Sequence, residues 1–408
     1  MNPEQVPVLL FALAVIVTAA QAFGALARRA GQPPVIGEIL LGVLIGPTFF
    51  GGAVAAFLFP AEIRPLLSVL ANVGVALFMF TVGTEVDRRL LRGHGRMTLS
   101  VASASMALPL LLGCGLALYL SGHYESSHRV GFVLFLGTAM AVTAFPVLAR
   151  ILTDRGMQRT TIGGLALSCA AVADLLAWTL LAVIATIVGG AHRPQWVVAM
   201  IIPFTAFLLL IVRPLLGRIA NDSRPRTLAV ALVGLLACGA ATEWMGLHYI
   251  FGCFLFGLVM PTGARESFEG TARLAGVLLL PTYFIVAGLN VDLSSMRVTN
   301  VADLVLIMLV SVGGKFAGTM IAARLHRVEW RQAATLGTLM NARGLTELIV
   351  LTTGLQLGLL DTGLYSLMVL MALLTTAMTG PLLQLLHRED RVPQDFLATE
   401  TEVSRRSR

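Results

Sequence analysis

The run 161–189 is continuous apolar sequence that carries one charged side chain, Asp174. As a helix rising about 1.5 Å per residue, it places roughly 20 Å of chain on either side of that carboxylate. A bilayer core is about 30 Å thick, so Asp174 is expected near the midplane of a tilted transmembrane helix. A charge there costs about 2.5–3.5 kcal/mol on insertion scales, and such groups are found in wet cavities, beside partners or protonated. Asp174 is therefore either a structural carboxylate tied into a polar network or an ion and proton site.

The same apolar pattern recurs along the chain. Of 408 residues, 57% are hydrophobic and 12% are charged, which marks an all-α integral membrane protein and not a soluble multidomain one. The first apolar run lacks a positive leader and a small-residue cleavage site, so it is expected to remain as a helix. About thirteen spans are expected, at 7–24, 34–50, 65–84, 98–120, 130–152, 161–189, 196–217, 226–245, 248–260, 271–289, 301–323, 332–359 and 363–385. They form one transmembrane unit, 1–386, followed by a polar tail, 387–408, that is expected to be disordered. Cys114, Cys169, Cys238 and Cys253 fall inside apolar runs without metal-ligand spacing and read as core packing.

With these spans, 23 of the 29 basic residues fall in the tail or in loops on one side, and four on the other. Lys315 and Arg343 lie within spans. By the positive-inside rule the N-terminus is outside and the C-terminus cytoplasmic, in a cell membrane read as a bacterial plasma membrane. The net charge of +7 is then topology and not a nucleic-acid patch.

Three motif pairs recur in order. IGEILLGVLIGP at 36–47 matches IFGCFLFGLVMP at 250–261, GTEVD at 83–87 matches GLNVD at 288–292, and LGTAM at 136–140 matches LGTLM at 336–340. The offsets are 215 residues between the paired glycines of the first motif (Gly37/Gly252 and Gly42/Gly257), then 205 and 200. Each pair lies seven spans apart, an odd number, so the two six-helix copies face opposite ways, with 196–217 as linker. Inverted repeats of this kind are typical of transporters, with the substrate site where the copies meet.

Two spans carry breaks at corresponding positions. Pro146 lacks an N–H and clashes one turn back, so helix 130–152 is expected to break near Val142 and Thr143. The counterpart is NARG at 341–344, where Asn341, Arg343 and the nearby Glu347 are polar and Gly344 is flexible. Paired interrupted helices point to a binding site, because freed backbone groups are tolerated only beside a cavity or other protein. Lys315, the only lysine, lies too deep to snorkel and is expected to neutralise a carboxylate or a helix end. Glu347 follows Arg343 by four residues, salt-bridge spacing on one helix face. The seven histidines fall in loops or near span ends and read as structural.

The stretches GQPPVIGEILLGVLIGP (31–47), TAFPVLARIL (143–152), AAVADLLAW (170–178), GLHYIFGCFLFGLVMP (246–261), VGGKFAGT (312–319) and NARGLTELIV (341–350) together resemble the monovalent cation:proton antiporter-2 family. This belongs to the sodium/proton exchanger superfamily, with Kef-type potassium efflux proteins and plant cation/proton exchangers. The resemblance implies a homodimer with a scaffold domain (about 7–84 and 196–289) and a core domain (about 98–189 and 301–385) that moves as an elevator. It implies two crossed discontinuous helices, broken at Thr143 and near Arg343. It implies that Asp174 binds either a monovalent cation or a proton, and that Lys315 is a family lysine. The family often has Asp or Asn before that carboxylate, where this chain has Ala173, so Lys315 lacks its usual partner and electroneutral exchange is expected. Kef-type relatives carry a nucleotide-binding regulatory domain, which a tail of this length does not hold.

The function expected is exchange of Na+ or K+ for protons, by competition at Asp174, with the Thr143 hydroxyl and nearby carbonyls completing the cation shell. The alternatives are a potassium efflux channel-like protein and an organic-anion symporter on the same inverted-repeat fold. No enzyme is expected, since the chain shows no nucleophile–base pair, metal-ligand spacing or phosphate loop. No cofactor is expected.

Overall fold

The computed structural model describes residues 5–85, 95–124, 126–157, 160–188, 200–219, 224–245, 249–261, 265–294 and 298–386. The tail 387–408, expected to be disordered, and the last two residues of the GTEVD motif lie outside the described residues. Every regular element described is helical. A helix satisfies its own backbone hydrogen bonds, which lipid cannot do for it.

Helix α1 (Gln5–Arg29) turns through Gly31 into α2 (Pro34–Ile45), which starts on a proline whose missing N–H costs nothing there. Gly46 ends α2 short of the expected 50, with its N–H on the Gly42 carbonyl at 2.9 Å. A 3-10 turn over Phe50–Gly52 uses the left-handed backbone of Gly51 and Gly52 to enter the short α3 (Ala53–Leu58). Then come α4 (Arg64–Glu85), α5 (Gly95–Leu120), α6 (Arg129–Ala141), α7 (Phe145–Asp154) and α8 (Thr161–Val188). Helix α9 runs through Ile201–Phe207, a π turn at Leu208–Val212 and Arg213–Ile219. Helices α10 (Arg224–Trp244), α11 (Tyr249–Val259) and α12 (Arg265–Leu289) follow. Helix α13 joins Val298–Met308, a π turn at Leu309–Gly313 and Gly314–Leu325. The described chain closes with α14 (Trp330–Met340), α15 (Leu345–Gln356) and α16 (Thr362–Leu386).

Among the described residues, α1, α4, α5, α8, α9, α10, α13 and α16 are long and apolar enough to cross a membrane. Helices α2, α6, α11 and the stretch Leu274–Leu289 of α12 are apolar but shorter. Leu10, Phe11, Leu111, Ile202, Leu210, Leu236 and Leu309 are more than half exposed, an apolar outer surface suited to lipid and not to water.

Packing sorts the helices into two groups. Helices α1, α2, α4, α10, α11 and α12 contact mainly each other, and so do α5 to α8 with α13 to α16. Thin seams of α2 on α16 and of α12 on α15 join the groups. Inside the first group, two helix crossings bring backbone onto backbone. A Cβ at Gly42 of α2 would stand 2.9 Å from the Gly288 Cα of α12, and one at Gly83 of α4 would stand 3.0 Å from the Gly257 Cα of α11. Lipid supplies no hydrophobic drive between helices, so such close approach is what holds them. Gly257→Val is therefore expected to cost about 1–3 kcal/mol by overpacking and to lower the yield of monodisperse protein in detergent. Gly276→Val, at a position where an added Cβ meets nothing within 4 Å, is the control and should leave that yield unchanged.

A polar knot ties the α5–α6 loop to α13. The Tyr124 hydroxyl donates to Asp303 Oδ2 at 2.8 Å and accepts from Asn300 Nδ2 at 3.0 Å, and His123 Nδ1 lies 3.7 Å from Asp303 Oδ1. Asp303 is buried, so losing its phenolic partner is costly. Tyr124→Phe is expected to remove about 1.5–3 kcal/mol of stability, read as a lower unfolding temperature in detergent.

Candidate ion site at two helix interruptions

Helix α6 stops at Ala141, Val142 is extended, and α7 resumes at Phe145. Pro146 thus falls in the first turn of α7, where its missing N–H is harmless, and the gap opens just before it. In the other half α14 stops at Met340 and α15 resumes at Leu345. The two gaps touch. The Ala144 N–H donates to the Ala342 carbonyl at 3.0 Å, and the Thr143 hydroxyl donates to the Met340 carbonyl at 3.2 Å. Gly344 has extended backbone that any residue adopts, so flexibility is not its role. A Cβ there would collide with the Val147 side chain, so glycine lets α7 come close.

The last carbonyls of α6 have no partners in their own helix and carry the negative end of its dipole. Two buried cations take three of them. Arg343 Nη1 donates to Ala139 at 3.0 Å, Arg343 Nη2 donates to Met140, and Lys315 Nζ donates to Ala141. Arg343 Nη1 also lies 2.5 Å from Glu347 Oε2, in an ion pair with no solvent exposure. A forked guanidinium suits this task, because it reaches two carbonyls and a carboxylate at once. The π turn before Lys315 inserts an extra residue into the helical repeat next to the ammonium, a distortion often found at functional positions. Asn341 Nδ2 bonds back to Gly337 at 3.0 Å.

Asp174 lies on α8, 2% exposed, within electrostatic reach of the Phe145 N–H that opens α7 and of Lys315. Among the described residues, no donor meets either of its oxygens at full hydrogen-bond geometry, the Phe145 N–H being the one turned towards it. The neighbourhood gathers further buried polar atoms without hydrogen-bond partners, among them Asn341 Oδ1, Glu347 Oε1, Arg343 Nε and the Thr346 hydroxyl. Each such atom costs about 1–3 kcal/mol, which a purely structural core avoids. The arrangement therefore suits a small polar cargo: a carboxylate near a helix N-terminus, carbonyls nearby, and fixed positive charge on the opposite helix end.

The family model for the transmembrane sodium/hydrogen exchanger matches residues 11–388. The chain belongs to the sodium/hydrogen exchanger family. The chain is 34% identical to the Na(+)/H(+) antiporter NhaS4 of Synechocystis over 94% of its own length and 98% of that relative. It is 35% identical to Cation/H(+) antiporter 19 of Arabidopsis thaliana and 33% identical to K(+)/H(+) antiporter 1 of Saccharomyces cerevisiae. Those matches cover 94% and 87% of the chain but only 50% and 44% of the two relatives, so the chain spans about half their length. Its fold is that of the sodium proton antiporter MjNhaP1 from Methanocaldococcus jannaschii, with a TM-score of 0.72 at 13% identity, over 92% of this chain and 97% of that one.

All eight residues singled out in the sequence, Asp174, Thr143, Pro146, Lys315, Asn341, Arg343, Gly344 and Glu347, lie at or beside the two gaps. Sequence reasoning missed Thr376 of α16, whose hydroxyl accepts from the Arg343 N–H at 3.0 Å and donates to the Arg343 carbonyl at 2.7 Å. The threonine pair at 375–376 in an apolar run was its only local trace, and threonines commonly bond back to their own helix.

Proposed function

We propose that this chain is a secondary active antiporter that exchanges a monovalent cation for protons across a membrane. The observation that carries the proposal is Asp174, a buried carboxylate without hydrogen-bond partners beside two facing helix gaps. The names of the relatives, Na(+)/H(+), K(+)/H(+) and cation/H(+) antiporters, support the same reading. A proton and a dehydrated cation each discharge the carboxylate, and only one of them binds at a time. Competition for that one group is the exchange. The Thr143 hydroxyl retains acceptor capacity while donating to Met340, and with nearby carbonyls it completes the cation shell. Lys315, Arg343 and Glu347 balance charge around the gaps and do not leave.

The two helix groups are the scaffold and core domains, and the core carries Asp174 past the scaffold as an elevator. Thin seams between the groups support this, since little contact is broken when they slide. The thirteen spans form two inverted six-helix copies whose interrupted helices cross. In support, the glycine crossings are reciprocal: Gly42 of one motif meets Gly288, the partner of Gly83, while Gly83 meets Gly257, the partner of Gly42. The N-terminus is outside, the C-terminus is cytoplasmic and the working unit is a homodimer. With Ala173 before Asp174, exchange is electroneutral at one proton per cation.

The test is purified protein in proteoliposomes with an imposed pH gradient, challenged with Na+, K+ and Li+, with and without a clamped voltage. Cation-dependent proton movement that ignores the clamp is expected. Currents without proton coupling would replace the antiporter with a channel.

A further inference from the structure

Thr376 is buried at 2% exposure on α16, a helix that supplied none of the residues singled out from the sequence. Its hydroxyl accepts from the N–H and donates to the carbonyl of the same residue, Arg343. Both backbone groups sit in the interruption, where neither has a helical partner. The side chain also lines two neighbouring cavities. One is a gap of about 10 Å³ against Arg343 and Gly344, roughly the space of one water. The other is a vestibule of about 360 Å³ lined by Arg28, Gln32, Arg155 and Gln384.

Position along the chain points to the same turn of α16. Thr161 and Thr362, which open α8 and α16, are 201 positions apart, so the place of Asp174 in the second copy falls at Thr375, the neighbour of Thr376. Asp174 faces the start of α7 after the first gap, and Thr376 holds the backbone just before α15 at the second.

We infer that Thr376, next to the second copy's counterpart of Asp174, is a positioning residue for exchange. Its hydroxyl pins the Arg343 peptide, which aims the guanidinium at the Ala139 and Met140 carbonyls, and its side chain is the post between the vestibule and the interrupted helices. This deepens the antiport reading and rests on it. Without the hydroxyl, the Arg343 peptide loses both partners and the guanidinium is free to leave α6. The site then loses its fixed geometry, which weakens cation binding more than it slows the maximal rate.

Exchange is measured in proteoliposomes against cation concentration and pH for wild type, Thr376→Ser and Thr376→Val. Thr376→Ser should stay within about twofold of wild type, and Thr376→Val should raise the half-saturating cation concentration about fivefold or more, with a smaller fall in maximal rate and a displaced pH profile. A Thr376→Val protein with the wild-type half-saturation and pH profile overturns the inference, and so does a Thr376→Ser protein as impaired as the valine variant. Should the valine variant not insert, Thr376→Cys in a background with Cys114, Cys169, Cys238 and Cys253 all changed to alanine is treated with a charged, membrane-impermeant thiol reagent. Labelling from the vestibule side, slowed by saturating cation, is expected, since position 376 lines that vestibule. No labelling from either side overturns it. Wild-type protein that moves no protons in response to cation sinks the antiport reading instead, and the labelling result still decides where Thr376 stands.

Discussion

Asp174→Asn should stop cation-driven proton movement in proteoliposomes, down to the level of protein-free vesicles, while the protein still inserts and elutes as wild type. Asparagine has nearly the same shape, but it neither gains and loses a proton nor carries the charge a cation must meet. The stability of the variant separates this role from a structural one. Both oxygens of Asp174 lack hydrogen-bond partners, so the fold gains little from the carboxylate. Replacing a buried charge by a neutral isostere is then expected to hold or raise the unfolding temperature. A lost transport signal with a level or higher unfolding temperature marks a residue kept for its chemistry. Vigorous exchange by the asparagine variant would end the proposal.

Arg343→Leu should do the opposite to stability. Its guanidinium joins Ala139, Met140 and Glu347, all inside the protein. Leucine leaves Glu347 as an unpaired buried charge and takes away the guanidinium donors of Ala139 and Met140, a loss of about 3–5 kcal/mol. The double variant Arg343→Leu/Glu347→Leu removes the stranded charge and should recover a large part of that loss. Thermal unfolding in detergent reads both. An Arg343→Leu protein that unfolds at the wild-type temperature would show that the ion pair contributes nothing. Arg343→Lys is expected to fall between, because an ammonium is a point donor that cannot fork to two carbonyls and a carboxylate.

Much of the site was legible because lipid leaves few reasons for a charge in an apolar run. Asp174, Lys315, Arg343 and Glu347 stood out by charge alone, and the geometry gathers them at the gaps. The identity of the partners was not legible. Lys315 was expected to meet a carboxylate or a helix end, and its hydrogen bond goes to a helix end, the Ala141 carbonyl that closes α6, but which end it would be could not be read because every residue carries that group. Pro146 signalled the break near Val142 and Thr143, where the gap falls, but a proline alone does not make one. Pro109, Pro281 and Pro381 all sit inside continuous helices. Thr376 was invisible for a similar reason, since a hydroxyl that bonds its own helix and one that bonds a distant peptide look the same in sequence. Helix ends were misplaced where glycine decides them, as at Gly46.

The glycine crossings also bear on where the molecule can give. With no side chains between them, α2 and α12, and likewise α4 and α11, mesh like notched logs: sliding either pair would drive a carbonyl into the neighbouring chain. Deformation is thereby excluded from the interior of that bundle and pushed to its perimeter, where α2 brushes α16 and α12 brushes α15. On the proposed elevator, a stiff frame beside a lightly attached carrier would turn small local forces at the gaps into whole-body displacement rather than dissipate them as bending.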